Sequence, residues 1–191
     1  WDESTCSAAA AAGHLAVLEW AGDHGCPLAM GTCVIAAREG HVEVLKWAWR
    51  KGCPWDQETC LVAAKGGHLE VLRWARERGC PWGTVICVIA AERGDLAMLK
   101  LARELNCPWN ESTCSAAAEN GQLELLQWAR AHGCPWNEDT CIAAVRAGHL
   151  AVLKWAREHG CPWSDLTFYY ADMYGFMYPE IKHWAIRALC S

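Results

Sequence analysis

The chain has 191 residues, 53% of them hydrophobic and 20% charged, with a formal net charge of −5 at pH 7. That mild acidity argues against a nucleic-acid surface, which is usually basic. No apolar run approaches the roughly 18 residues needed to span a bilayer, and no charged-then-apolar leader heads the sequence.

Internal periodicity dominates the rest. Cys-Pro recurs at Cys26-Pro27, Cys53-Pro54, Cys80-Pro81, Cys107-Pro108, Cys134-Pro135 and Cys161-Pro162, each step 27 residues. Trp follows at Trp55, Trp82, Trp109, Trp136 and Trp163, Leu28 takes the remaining place, and Trp1 sits in the same phase. A second cysteine recurs at Cys6, Cys33, Cys60, Cys87, Cys114 and Cys141. Glycine recurs from Gly13 through Gly40, Gly67, Gly94, Gly121 and Gly148 to Gly175. A second tryptophan recurs at Trp20, Trp47, Trp74, Trp128 and Trp155, with Leu101 in the gap. These phases define repeats 1–27, 28–54, 55–81, 82–108, 109–135, 136–162 and 163–191, a single repeat domain over 1–191. The last repeat is two residues longer, which places an insertion before Trp184.

Along one repeat, 55–81, the elements follow in order. Asp56 is an N-cap whose carboxylate accepts from the first turn. Asp2, Asn110, Asn137 and Ser164 hold its place elsewhere. Acidic residues just after the cap, Glu3, Glu58, Glu111 and Glu138, suit the positive end of the helix dipole. Helix one runs through Cys60 and the small pair Ala63-Ala64, which admits a close neighbour, and Gly67 ends it. Helix two starts at His68, and Leu69, Val71, Leu72, Trp74 and Ala75 mark its buried face. Gly79 ends it. Asn106 holds that place in the fourth repeat and is the other residue that tolerates positive φ. Pro81 cannot continue the helix. A short helix pair cannot bury its own apolar face, so the repeats must stack. The tryptophan ladders are expected to be buried, with truncation costing about 3–5 kcal/mol each.

The chain has thirteen cysteines. Equivalent cysteines in successive repeats should stand about 8–10 Å apart, the spacing of packed helices. A disulfide needs Cα atoms within about 7 Å, and pairs seven residues apart, such as Cys26 and Cys33, are not excluded by this argument. The expectation is small buried hydrophobes, which implies a reducing, cytoplasmic or nuclear compartment.

The segment Ala36-Ala37-Arg38-Glu39-Gly40-His41-Val42-Glu43-Val44-Leu45-Lys46 closely resembles the ankyrin repeat, and the match recurs in six repeats. Two features depart from that family. Ankyrin repeats usually have 33 residues, and the Thr-Pro-Leu-His opening is replaced by a Thr-Cys region, Thr59-Cys60 in this repeat. The missing residues correspond to the family's β-hairpin. The resemblance implies an all-α fold, an α-solenoid of seven stacked helix-turn-helix repeats, serving as a protein-interaction module. It also implies that the variable residues before the mid-repeat glycine line the concave, partner-binding face. These are Arg38, Glu39, Lys65, Glu92, Arg93, Glu119, Asn120, Arg146, Met173 and Tyr174. A second variable group follows Cys-Pro-Trp: Ala29-Met30, Asp56-Gln57, Gly83-Thr84, Asn110-Glu111 and Asn137-Glu138.

Other conspicuous residues have structural readings. His14, His41, His68 and His149 are expected to cap and orient helix two. Asp95, Gln122 and Phe176 share their phase, and a metal site needs three or four converging ligands. Arg76, Arg103, Arg130 and Arg157 read as a solvated, salt-bridged face. No phosphate loop or Gly-x-Ser-x-Gly elbow is present, so no cofactor, metal or enzyme activity is expected. In the last repeat Phe168, Tyr169, Tyr170, Met173, Tyr174, Phe176, Met177 and Tyr178 replace the usual pattern. They either cover the sixth repeat or form a docking patch, and Pro179 opens a second helix ending near Arg187.

The sequence therefore predicts a scaffold, monomeric on its own, that binds a protein partner through helix one. The alternatives are a structural subunit docking through the aromatic C-terminal repeat, and a thiol-rich redox or metal-binding protein.

Overall fold

A computed structural model describes residues 3–28 and 30–189. Among the described residues there are fourteen α-helices and no strand. They come in pairs, one pair per repeat: α1 Glu3–Ala11 and α2 Leu15–Asp23, α3 Met30–Arg38 and α4 Val42–Arg50, α5 Gln57–Gly66 and α6 Leu69–Glu77, α7 Val85–Arg93 and α8 Leu96–Glu104. Then follow α9 Glu111–Glu119 and α10 Leu123–Ala131, α11 Glu138–Ala147 and α12 Leu150–Glu158, α13 Asp165–Met173 and α14 Pro179–Leu189. The chain divides into two compact bodies. One comprises the residues up to Ile86 with Lys100–Cys107, and the other comprises Cys87–Leu99 with the residues from Pro108 onward.

The helices begin and end for identifiable reasons. The Asp56 carboxylate accepts from the Glu58 N–H at 2.9 Å, closing the first turn of α5. Asn110 and Asn137 occupy the same extended N-cap conformation without that bond. Asp2 lies outside the described residues. Gly67 and Gly148 end α5 and α11 in the left-handed region, at φ 80° and 83°. Asn106, at φ 59°, takes the place that Gly79 fills at φ 81°, as a backbone requirement there predicts. Pro179 opens α14, where its missing N–H costs nothing.

First helices pack on first helices: α1 on α3 and α3 on α5 in one body, α9 on α11 and α11 on α13 in the other. Fully buried alanines permit this, among them Ala36-Ala37, Ala63-Ala64 and Ala117-Ala118. From the second helices Leu18, Leu45, Leu72, Leu126 and Leu153 fill the core. Replacing any one by alanine should cost about 2–5 kcal/mol.

The tryptophans depart from the expected buried ladder. Trp47 is buried at 4% exposure, but Trp20 is 47% exposed, and Trp74, Trp128 and Trp155 are half-buried. The cause lies one repeat earlier. Trp47 tucks against Gly22, where an added Cβ would stand 3.0 Å from its ring. Trp74 meets Trp49 at the equivalent place, edge to face at 5.9 Å, and cannot sink.

Candidate interaction surface

The mid-repeat junction builds the surface of interest. Each first helix ends one or two residues before a glycine, and the next repeat reaches back to that end. His41 Nε2 donates to the Ala11 carbonyl at 3.0 Å, His68 Nε2 to Arg38 at 2.8 Å and His149 Nε2 to Glu119 at 3.1 Å. None of these rings caps its own helix. The expectation that they cap helix two is therefore corrected: they join successive repeats. Each ring lies where a Cβ on the preceding glycine would stand, 2.8 Å from Gly13, 2.5 Å from Gly40 and 2.7 Å from Gly121. Gln122 covers Gly94 in the same way. Asp95 behaves differently and does cap, accepting from the Met98 N–H at 2.8 Å.

The predicted binding residues sit on this junction. In the first body Arg38, Glu39 and Lys65 are exposed at the ends of α3 and α5. In the second body Glu92, Arg93, Glu119, Asn120, Arg146 and Met173 are exposed, and Tyr174 is half-buried beside them in sequence. The Asn120 side chain turns back onto the Ala116 carbonyl at 2.9 Å. Because α3 packs on α5, α9 on α11 and α11 on α13, Arg38, Glu39 and Lys65 line up in the first body and Glu119, Asn120, Arg146 and Met173 in the second. Of the second variable group, Met30, Gln57 and Glu111 are exposed, and Ala29 lies outside the described residues.

The opposite ends of the second helices carry arginines and aromatic rings. Arg76 Nη1 donates to the Cys80 carbonyl at 3.4 Å, and Arg103 and Arg130 donate to Cys107 and Cys134. Arg76, Arg130 and Arg157 also lie over Trp82, Trp136 and Trp163, at 5.1, 4.1 and 5.5 Å from the ring centroids. The salt-bridged reading gives way at Arg76 and Arg130, which close the last turn of their helix and roof the next tryptophan. Four residues after the helix-two tryptophan, His24, His132 and His159 stack on Trp20, Trp128 and Trp155 at 4.1, 4.0 and 4.3 Å. Arg78 takes that place over Trp74 and Trp49. The i, i+4 spacing of Trp and His carried this signal, and the sequence reading missed it.

Shallow grooves open between these second helices. One of about 180 Å³ lies among Lys46, Trp49, Trp74 and Arg78, and one of about 280 Å³ among Arg130, Trp136, Trp155 and His159.

The cysteines pair within a repeat, 20 residues apart, rather than seven. Cys6 and Cys26 form a disulfide, with Cα atoms 7.0 Å apart. Cys33 faces Cys53, Cys60 faces Cys80, Cys114 faces Cys134 and Cys141 faces Cys161, so that the partner thiol is the largest influence on the titration of Cys33, Cys60, Cys134 and Cys141. The Cys80, Cys134 and Cys161 thiols themselves donate to the Asp56, Asn110 and Asn137 carbonyls. All eight cysteines are buried. The partner thiol, then burial, pushes the Cys33, Cys60 and Cys141 thiols far up. The partner thiol also pulls Cys53, Cys80 and Cys161 below the ordinary thiol value. In the remaining pair Cys134 is the raised member, by the Cys114 thiol and by burial. Among the described residues no three His, Cys, Asp or Glu converge as a metal site, and no helix is long and apolar enough to cross a membrane.

In the last repeat the two-residue insertion is Phe176-Met177. Tyr178, not Phe176, takes the place of the joining histidine, its ring 2.4 Å from a Cβ built on Gly148. The inserted residues project, with Phe176 97% and Met177 63% exposed.

No protein-family model matches the chain, and no curated protein sequence matches it. Among solved structures it is similar to the crystal structure of the human ASB11 ankyrin repeat domain. The TM-score is 0.69 at 17% identity, over 82% of this chain and 83% of that one. The likeness shows the fold. Over its described residues the chain has an all-α, ankyrin-like helical repeat fold.

Proposed function

We propose that this chain is a non-catalytic scaffold that binds a protein partner through the ends of its first helices. The ankyrin repeat fold generally mediates protein–protein interaction. The observation that carries the reading is the junction. Residues that vary from repeat to repeat, Glu92, Arg93, Glu119 and Arg146 above all, are exposed on helix ends that adjoin invariant glycines. At Glu119 the backbone carbonyl is already taken by His149, so its side chain can change without disturbing the joint. Solenoids bind through such surfaces because the scaffold holds each side chain in register.

A photo-crosslinking residue placed at Glu119 or Arg146, with Gln127 on a second helix as control, tests this in a lysate of the source cells. Adducts to a discrete protein from the first two positions and none from Gln127 are expected. Adducts from Gln127 alone would overturn the reading.

A second reading has its own observation. Phe176 and Met177 project as an apolar tip, which suits a structural subunit docking through the last repeat. Replacing both with aspartate should then abolish partner capture while leaving the row at Glu119 and Arg146 irrelevant.

A further inference from the structure

Buried cysteine usually serves as a small hydrophobe. That role fixes size and not partner, whereas here the cysteines meet in twos. The helix-one thiol and the Cys-Pro thiol of a repeat come together 20 residues apart: Cys6–Cys26 is bonded with Cα atoms 7.0 Å apart, the Cys33 thiol donates to the Cys53 carbonyl at 3.9 Å, and the same spacing recurs at Cys60 and Cys80, Cys114 and Cys134, and Cys141 and Cys161. Among the described cysteines no disulfide joins residues seven apart or one repeat apart.

The two members of a pair are both buried but differ in position. The helix-one cysteines Cys33, Cys60, Cys114 and Cys141 lie within helices α3, α5, α9 and α11, completely covered. Each loop cysteine lies just beyond helix two, preceded by an exposed glycine: Gly52, Gly79, Gly133 and Gly160 before Cys53, Cys80, Cys134 and Cys161. Opening that short loop uncovers one thiol without unfolding a helix, the kind of local opening that costs far less than global unfolding.

We propose that each of these pairs is a site of thiol–disulfide exchange with low-molecular-weight disulfides of the glutathione type, closing to a disulfide within its own repeat. The loop cysteine attacks the disulfide and forms a mixed disulfide, releasing one small thiol. The helix-one thiol then attacks the protein sulfur of that intermediate and releases the second. One small disulfide is reduced to two thiols, and one protein dithiol is oxidised. Each bond ties the middle of helix one to the end of helix two and closes a 20-residue segment. It thereby stiffens the repeat whose helix-one end carries the row described above. The inference stands independently of partner binding.

The experiment incubates the native, fully reduced chain with oxidised glutathione, alkylates remaining thiols and maps linkages by peptide mass spectrometry. Bonds Cys33–Cys53, Cys60–Cys80, Cys114–Cys134 and Cys141–Cys161 are expected, together with a rise in Tm on the order of 5–10 °C. Cys141→Ala should leave Cys161 as a stable mixed disulfide with glutathione, and Cys161→Ala should leave Cys141 unmodified. Thiols that stay free through the incubation, or bonds joining different repeats, would overturn the proposal.

Discussion

His68 donates from Nε2 to the Arg38 carbonyl at 2.8 Å while its ring covers Gly40, so one side chain both bonds and buries the end of the preceding repeat. Gly40 has two reasons to be glycine: φ of 77° and a ring where its Cβ would be. Gly79 has only the first, φ of 81° with open space around it. An alanine in the left-handed region costs about 1–2 kcal/mol. Gly79→Ala should cost that much, and Gly40→Ala at least about 1 kcal/mol more. Denaturant unfolding of the two variants decides it, and equal losses would mean the ring is not packed as described.

Trp47 and Trp20 share a phase and differ in burial, so they should differ in energy. Trp47→Ala removes a buried ring and should cost about 3–5 kcal/mol. Trp20→Ala removes a half-exposed ring stacked on His24 and should cost about 1–2 kcal/mol, since apolar stabilisation scales with the area withdrawn from water. Gly22→Leu should move Trp47 toward the exposed state, visible as a red shift of tryptophan emission. An unchanged spectrum would count against the Gly22 contact.

The repeat length, the helix pairs, the glycine stops and the substitution at Asn106 were all legible in the sequence, because each is a local backbone demand repeated in phase. The roles of His68, Arg130 and the cysteines were not. Each acts between elements: His68 across two repeats, Arg130 onto the Trp136 ring, Cys60 onto Cys80 twenty residues away. Phase says that a residue is needed at a position, and only packing says what it faces. Tyr178 shows the limit most plainly. Counting placed Phe176 in the histidine phase, while the ring that fits over Gly148 is two residues later.

The thiol pairs predict an alkaline loss of stability in the reduced protein. Cys33, Cys60, Cys134 and Cys141 hold their protons far above the ordinary thiol value in the folded state. Above pH about 8.5 the unfolded chain gives these protons up and the folded chain does not. The unfolded state then binds fewer protons, so stability falls as pH rises. Cys53, Cys80 and Cys161, held low, act oppositely: their contribution is present above that pH and is lost as pH falls. Under reductant, Tm should therefore decline from pH 8.5 to 10. Cys60→Ala with Cys80→Ala should shallow the decline. A flat profile for the parent chain would refute the pairing.

Glu119 and His149 meet at one joint but through different atoms, which allows binding and folding to be separated. His149 uses the Glu119 carbonyl, not its carboxylate. Glu119→Ala keeps that carbonyl and removes only an exposed side chain, so its stability should stay within about 0.5 kcal/mol of the parent. Arg146→Ala should do the same. His149→Ala strips a hydrogen bond between repeats and uncovers Gly121, and should cost about 1–2 kcal/mol. If Glu119→Ala proves as destabilising as His149→Ala, the carboxylate is part of the joint and cannot be a partner contact. If it folds normally yet loses a crosslinked partner, the helix-one end is the binding edge.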